Sequence, residues 1–498
     1  MSPEIVTFII YILGMMGIGY YFYKKNESTA DYFLGDRSLN PYVTALSAQA
    51  SDMSGWLLMG FPGAVYAGGF NAMWIGIGLA LGTYLNWQFT AQRLRRYTEV
   101  IDAITIADFF EKRFKDNSRV LRIVTGLVIL IFFTIYVSSG LVAGGKLFES
   151  LLGIDYTLAV YLSVLVVGLY TVLGGYLAVS WTDFVQGGLM IIALIVVPLV
   201  VISNYGGLAE VWKAVSSINP DLLHAGKSVS FDISAEMKWQ SAGSGLTFIG
   251  LISLLGWGLG YFGMPHILVR FMGIKSAKQI PRSQFIAVTW VVISLIGAVL
   301  VGMVGIVNLD PLADSEKVFL LLLDKLFSPW ISGIFLAAVL AAIMSTIDSQ
   351  LLVSSSALAE DFYTIFRKDA DQKELMWVSR AAVIIIIILG LFFALSGGSI
   401  LNIVSYAWAG LGASFGPAIL FSLFWKKTTR NGVLSGIITG GAVVIIWKNA
   451  FAYTGLYEII PAFALSAIVI YLISYFGEDP TAEVEGEFEK AMKPLINE

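Results

Sequence analysis

The chain has 498 residues, of which 57% are hydrophobic and only 13% charged, with a net charge of −4, two histidines and no cysteine. A soluble protein carries roughly a quarter charged residues, so these proportions exclude one; without cysteine there is no disulfide, thiolate metal site or cysteine nucleophile, and the weak net charge argues against a nucleic-acid partner. Apolar runs of about 20 residues, each able to cross about 30 Å of hydrocarbon, recur throughout and define an all-α polytopic protein of the lipid bilayer.

Thirteen spans are predicted, at 3–23, 42–67, 71–91, 119–146, 157–178, 183–203, 244–268, 283–308, 328–360, 376–396, 400–425, 430–451 and 455–477. Residues 3–23 are too long for a signal-peptide core and lack a basic flank ahead of them, so they read as a retained span. The connections after spans 1, 3, 7, 9 and 11, with their flanks, carry 3, 8, 4, 4 and 3 Lys or Arg. The opposite connections carry seven: Lys146, Lys213, Lys227, Lys238, Lys317, Lys325 and Lys448. Positive charge stays inside, which puts the N-terminus outside and the C-terminus in the cytoplasm. The basic stretch "QRLRRYTEV" either sets topology or meets anionic lipid. Residues 204–243 form one long outer loop with room for a short surface helix. "GEDPTAEVEGEFEKAMKP" reads as an acidic, mobile cytoplasmic tail.

Two spans look interrupted. Span 2 holds "SAQASDMSG", small and polar at mid-membrane, and span 7 holds "GLISLLGWGLGYFGMPH", with Gly256, Gly258, Gly260 and Gly263 ahead of Pro265. Such unwinding survives in a membrane only where the freed backbone faces a cavity, a ligand or other protein. Small residues in span 7 also suit close helix packing. The two spans lie five apart, where a five-plus-five inverted repeat puts the first helix of each half and where transporters bind their cargo. The division is then 1–40 (first span and link), 41–203 (spans 2–6), 204–243 (outer loop), 244–425 (spans 7–11), 426–477 (two peripheral spans) and 478–498 (tail).

A break in span 2 ends an inner half-helix on free carbonyls and starts an outer one on free N–H groups, so a cation and an anionic ligand group can share the gap. Asp52 can hold the cation there, while Ser54 and Gly55 supply donors; an intramembrane carboxylate is costly and reads as functional unless a basic residue pairs it. On span 9, Ala342, Ser345, Thr346 and Ser349 follow helical spacing along one face, as hydroxyl and carbonyl ligands of sodium or as interhelical contacts. On span 7, Trp257, Tyr261 and Pro265 recur every four residues on one face, as core packing or as an aromatic wall for a small ligand with an ammonium.

"RSLNP", "SAQASDMSGWLLMG", "SWTDFVQG", "WGLGYFGMPHILVRFMG" and "MSTIDSQLLVSSS" together resemble the sodium/solute symporter family over nearly the whole chain, and its proline branch in the span-2 stretch and "WGLGYFG". The resemblance implies thirteen helices around a ten-helix inverted-repeat core of the LeuT type, in a bacterial inner membrane. It further implies uptake of L-proline driven by inward sodium. It assigns sodium to carbonyls of Ala50, Met53 and Ala342 and hydroxyls of Ser345 and Thr346, and coupling to Asp52 and Arg37; as a bare cytoplasmic residue, Arg37 would otherwise be a topology anchor. Proline falls near Ser54, Gly55, Tyr136, Trp257, Tyr261 and Pro265. A second cation site is suggested at Asp183, Asp348 and Ser349, against the alternative that Asp183 caps the start of span 6 and Asp348 meets water or an Arg. Met264 departs from the branch, which tends to carry Gln there.

Two other classes remain for comparison. No HExxH, nucleophile elbow or P-loop supports an enzyme. A channel needs a continuous polar lining, whereas the polar residues here cluster at mid-depth. Within transporters, the alternatives are proton coupling through Asp52 or another small solute.

Overall fold

The computed structural model describes residues 2–23, 29–171, 175–234, 237–367 and 369–493. Part of the expected cytoplasmic link (24–28), three residues at the inner end of span 5 (172–174) and the end of the tail (494–498) lie outside them. Among the described residues the chain is helical except for one hairpin. Ten helices among the described residues are long and apolar enough to cross a membrane, eleven with one bent pair counted as a span, and a shorter apolar helix covers Tyr156–Leu169. The spans keep their sequence numbers below.

Span 2 starts sharply because Pro41 occupies the first helical turn and the Asn40 side chain accepts from the N–H groups of Tyr42 and Val43. Its helix Pro41–Ala50 then stops, and helix resumes only beyond residues 51–54 as a wide turn, Trp56–Gly60, running into Phe61–Gly68. Span 7 is likewise discontinuous, with Phe248–Leu255, a tight 3₁₀ stretch Gly256–Gly263, and Pro265–Gly273 at a 46° bend. Spans 9 (Pro329–Ser356) and 11 (Ile400–Phe424) are the most enclosed by neighbours, and spans 1, 12 and 13 face outward most.

Three features differ from the expectations. Span 6 is Tyr176–Asn204, so Asp183 lies about two turns inside it rather than at its cap. Polar residues before Asp183 join the helix because Thr182 returns its hydroxyl to the carbonyls of Ala178 and Val179. The outer loop holds the helix Leu208–Ile218 but also an unforeseen antiparallel hairpin, Lys227–Asp232 with Lys238–Gly245. Its Phe231 and Trp239 pack on Tyr66 at the outer end of span 2, where Trp239 Nε1 donates to the Tyr66 carbonyl at 2.6 Å.

The third is the tail. Ala482–Met492 is a helix docked on the helix Gln92–Val100, not a mobile end. Glu487 and Glu483 meet Lys115 at 2.5 and 3.0 Å, Lys426 faces Glu485 and Glu489, and Phe488 packs on Tyr97. Those carboxylates offset the desolvation of Lys115 and leave its pKa raised.

Candidate functional site

The unwound residues of span 2 are buried, and so is their carboxylate. Among the described residues Asp52 pairs with no basic one: Tyr261 donates its hydroxyl to Asp52 Oδ2 at 2.6 Å, and Oδ1 has no partner. The Asp52 carbonyl, freed by the break, accepts from Trp56 Nε1 at 3.1 Å and from the Tyr136 hydroxyl at 3.3 Å. Ser54 caps the outer half-helix, its Oγ accepting from the Trp56 N–H at 3.3 Å and its carbonyl from the Leu57 N–H at 2.9 Å. Gly55 fits because spans 4 and 9 press against it; a Cβ there would lie 2.7 Å from that of Ala143.

Proline chemistry explains the break in span 7. In an α-helix the Tyr261 carbonyl would accept from the N–H of residue 265, but Pro265 has none. Asn86 of span 3 donates its amide to that carbonyl instead, at 2.9 Å. Trp408 of span 11 does the same for the Trp257 carbonyl at 2.7 Å. Sequence reasoning missed both; an Asn within an apolar span was the available signal for the first. The 3₁₀ pitch also corrects the expected aromatic face. At three residues per turn, positions four apart diverge by about 120°. Trp257 accordingly packs on Tyr457, while Tyr261 meets Trp408 edge-on and reaches Asp52. Pro265 opens the inner half-helix behind Met264, which is fully buried.

Span 9 brings its hydroxyls to the inner half of the span-2 break. Ser345 Oγ donates to the Ala50 carbonyl at 2.7 Å and approaches that of Ala342 at 3.1 Å; Thr346 Oγ1 lies 3.4 Å from the Ala50 carbonyl. These four neutral oxygens suit a hard cation, which would replace the hydroxyl protons as their shared partner. Met53 lies in the same break, fully buried, with its N–H on the Gln49 carbonyl.

The second cation site stands differently. Fully buried Arg270, from the inner half of span 7, donates to Asp183 Oδ2 at 3.1 Å, Ser349 Oγ at 2.7 Å and Ser47 Oγ at 3.1 Å. A guanidinium thus holds two of the three ligands proposed for an ion. Asp348 is apart from them, taking the Thr171 hydroxyl. Arg37 is more than an anchor. It donates to the carbonyls of Thr98, Ala103 and Met272, stitching the approach to span 2 onto the inner ends of spans 3 and 7. Burial, with Arg95 nearby, lowers its pKa.

On the outer side, Lys146 of span 4 holds Glu316 at 2.7 Å and Asp314 at 2.8 Å. Glu316 also caps span 11 through the N–H groups of Ile400 and Leu401. Lys146, Asp314, Glu316 and Leu401 line an open pocket of about 660 Å³.

Residues 32–440 match the Sodium:solute symporter family. The chain is 48% identical to the sodium/proline symporter of Escherichia coli, covering 98% of this chain and 96% of that protein. It is 49% identical to the high-affinity proline transporter PutP of Bacillus subtilis, covering 95% and 98%. In structure it resembles a Na⁺-coupled sialic acid symporter in a substrate-bound outward-open state, with a TM-score of 0.79 at 19% identity over 97% of this chain and 99% of that one. A closed nucleobase-cation-symport-1 transporter gives 0.55 at 13% identity over 94% and 99%. Two discontinuous helices meeting at mid-membrane, the shared fold and the near full-length identity lead to one conclusion: the chain is a multi-pass membrane protein that belongs to the sodium:solute symporter family.

Proposed function

We propose that the protein is a secondary active symporter that imports L-proline with sodium by alternating access. The observation that carries this is the convergence of the Ser345 and Thr346 hydroxyls on the Ala50 carbonyl, two residues before Asp52 and its Tyr261 partner. Near full-length identity to named proline transporters supplies the substrate. Sodium takes Ala50, Met53, Ala342, Ser345 and Thr346. The substrate ammonium faces Asp52 and the aromatic walls of Tyr136 and Tyr261, with Ser54, Gly55, Trp257 and Pro265 around it. Asp52 couples the two, since its charge favours sodium and the ammonium together.

The Lys146–Glu316 contact ties span 4 to the start of span 11 and parts to admit substrate. The Arg37 bonds close the inner side and must part to release it. The N-terminus lies outside, the C-terminus in the cytoplasm, and thirteen spans cross a bacterial cytoplasmic membrane: one in 1–40, five in each of the 41–203 and 244–425 repeats, and two peripheral ones in 426–477. Proteoliposomes test the reading. Radiolabelled proline accumulates under an inward sodium gradient; no accumulation, or equal accumulation with choline and a proton gradient, overturns it.

A further inference from the structure

Phe89 and Phe424 leave large parts of their rings exposed, and both line one groove of about 420 Å³. Its walls are Leu85 and Phe89 of span 3, Phe262 of the 3₁₀ stretch in span 7, and Phe421, Phe424 and Trp425 at the end of span 11. One end of the groove reaches Phe262, in the break of span 7. The other ends at Trp425, which stacks on Tyr471 at 5.3 Å, with Tyr475 stacked beyond it at 5.7 Å. Trp and Tyr gather where hydrocarbon meets headgroups, so the groove runs from mid-membrane to one interface.

That interface end is cationic in a particular way. Arg93 lies one helical turn past Phe89, and its guanidinium covers the Phe424 ring at 4.1 Å. Its Nη1 donates to the Leu423 carbonyl at 3.3 Å, capping span 11, and contacts Met492 Sδ at 3.2 Å; Nε and Nη2 meet no acceptor among the described residues. Arg96 follows a turn later, near enough for the two charges to oppose each other, and donates to the Lys493 carbonyl. The cations around them are neutralised. Arg95 meets Glu99, Lys115 meets Glu483 and Glu487, Lys426 faces Glu485 and Glu489, and Lys427 faces Asp479. Among the described residues no carboxylate pairs with Arg93 or Arg96. Like charges a turn apart work against a helix unless an anion lies between them. Setting topology needs positive charge on this side, and the paired cations already supply it.

An apolar groove that ends on two unneutralised guanidiniums has the shape and charge of a lipid with an anionic head. We infer that this groove binds an anionic phospholipid, one acyl chain lying along Phe89 and Phe421 toward Phe262, the phosphate against Arg93 and Arg96. A guanidinium fork matches two phosphate oxygens, and stacking on Phe424 holds Arg93 at the rim. Phe262 follows Tyr261, so the lipid chain supports the stretch that carries the Asp52 contact. The occupied leaflet is the cytoplasmic one in the orientation proposed above; binding itself depends neither on that orientation nor on proline as substrate.

The test uses the full-length protein, stripped of lipid in detergent. Dioleoylphosphatidylglycerol and dioleoylphosphatidylcholine are added at equal concentration, and native mass spectrometry gives the affinity of the first lipid bound. Wild type holds phosphatidylglycerol at least tenfold more tightly, and soluble glycerol 3-phosphate does not displace it. Arg93→Gln and Arg96→Gln each lower that preference about fivefold, the scale of one cation beside a phosphate, and leave phosphatidylcholine unchanged. Arg93→Lys, which keeps the charge without the fork, lies between. Leu85→Trp, which fills the groove from an exposed position, weakens both lipids. A wild-type preference under twofold, an unchanged preference in both Gln variants, or unchanged lipid affinity in Leu85→Trp overturns the inference. Displacement by glycerol 3-phosphate overturns it in favour of a bare anion site. A dimer that excludes phosphatidylglycerol overturns it in favour of a second copy of the chain.

Discussion

Two oxygen clusters sit one helical turn apart along span 9 and differ in what neutralises them. The outer one joins Ser345 and Thr346 to the Ala50 carbonyl and contains no fixed charge. The inner one joins Ser349 to Ser47 and Asp183, and Arg270 fills it from span 7. Side-chain chemistry alone would favour the inner cluster as an ion site, because it holds a carboxylate. The structure favours the outer one, because a mobile ion must find oxygens whose existing bonds are weak enough to exchange. Two hydroxyl–carbonyl bonds satisfy that condition. A buried guanidinium–carboxylate pair does not, and it instead ties the inner halves of spans 2, 6, 7 and 9 together.

The largest effect comes from breaking the fixed cluster. Arg270→Met leaves the Asp183 carboxylate in a dry interior without its partner, which costs about 3–5 kcal/mol. The melting temperature in detergent falls steeply, and sodium restores part of the loss by entering the vacated cluster. Removing both charges with Arg270→Met and Asp183→Leu recovers most of the stability. If the double variant melts as low as the single one, the pair is not what sets the inner cluster apart.

The exchangeable cluster answers to smaller changes. Ser345→Ala or Thr346→Ala removes one oxygen from the ion, worth about 1.5–3 kcal/mol. Apparent sodium affinity drops about 10- to 100-fold with maximal uptake largely kept. A shift in proline KM at saturating sodium with unaltered sodium dependence would move these hydroxyls to the substrate. Tyr261→Phe comes next. It strips Asp52 of its hydroxyl donor while keeping the ring against Trp408. Loss of one charge-assisted bond predicts about a tenfold fall in proline affinity with the fold intact; an unchanged affinity would confine Tyr261 to packing.

Local chemistry carried much of this in the sequence. Asp52 among small residues and Pro265 behind four glycines announce their breaks because the causes lie within a few positions. The partners were not legible. Tyr261 reaches Asp52 across 209 positions, and Asn86 reaches Tyr261 across 175, contacts that only the packing of spans 2, 3 and 7 creates. Arg270 illustrates a deeper ambiguity. A count of cytoplasmic cations treats it like Lys275 or Lys278, yet it is fully buried one turn below His266. Periodicity likewise assumed 3.6 residues per turn through span 7, where the chain winds at three. The tail was misread because its acidic residues suggest a solvated segment when their partners, Lys115 and Lys426, lie hundreds or tens of residues away.

Asp348 gives the smallest expected effect and the sharpest line between the clusters. It lies two residues beyond Thr346 and one before Ser349, so position alone would serve either cluster. Its Oδ1 accepts from the Thr171 hydroxyl of span 5, and its other oxygen, Oδ2, has no partner among the described residues. If the inner cluster is closed by Arg270, then Asp348 binds no second sodium, and its carboxylate is needed only as an acceptor for Thr171. Asn keeps such an acceptor in its amide oxygen. Asp348→Asn should therefore leave the Hill coefficient for sodium near one and the reversal-potential stoichiometry unchanged, with half-saturating sodium within about threefold of wild type, less than the loss of one hydrogen bond to an ion. A wild-type Hill coefficient near two that falls to one in Asp348→Asn would show that the inner face of span 9 also carries an ion, with Asp348 rather than Asp183 as its anionic ligand.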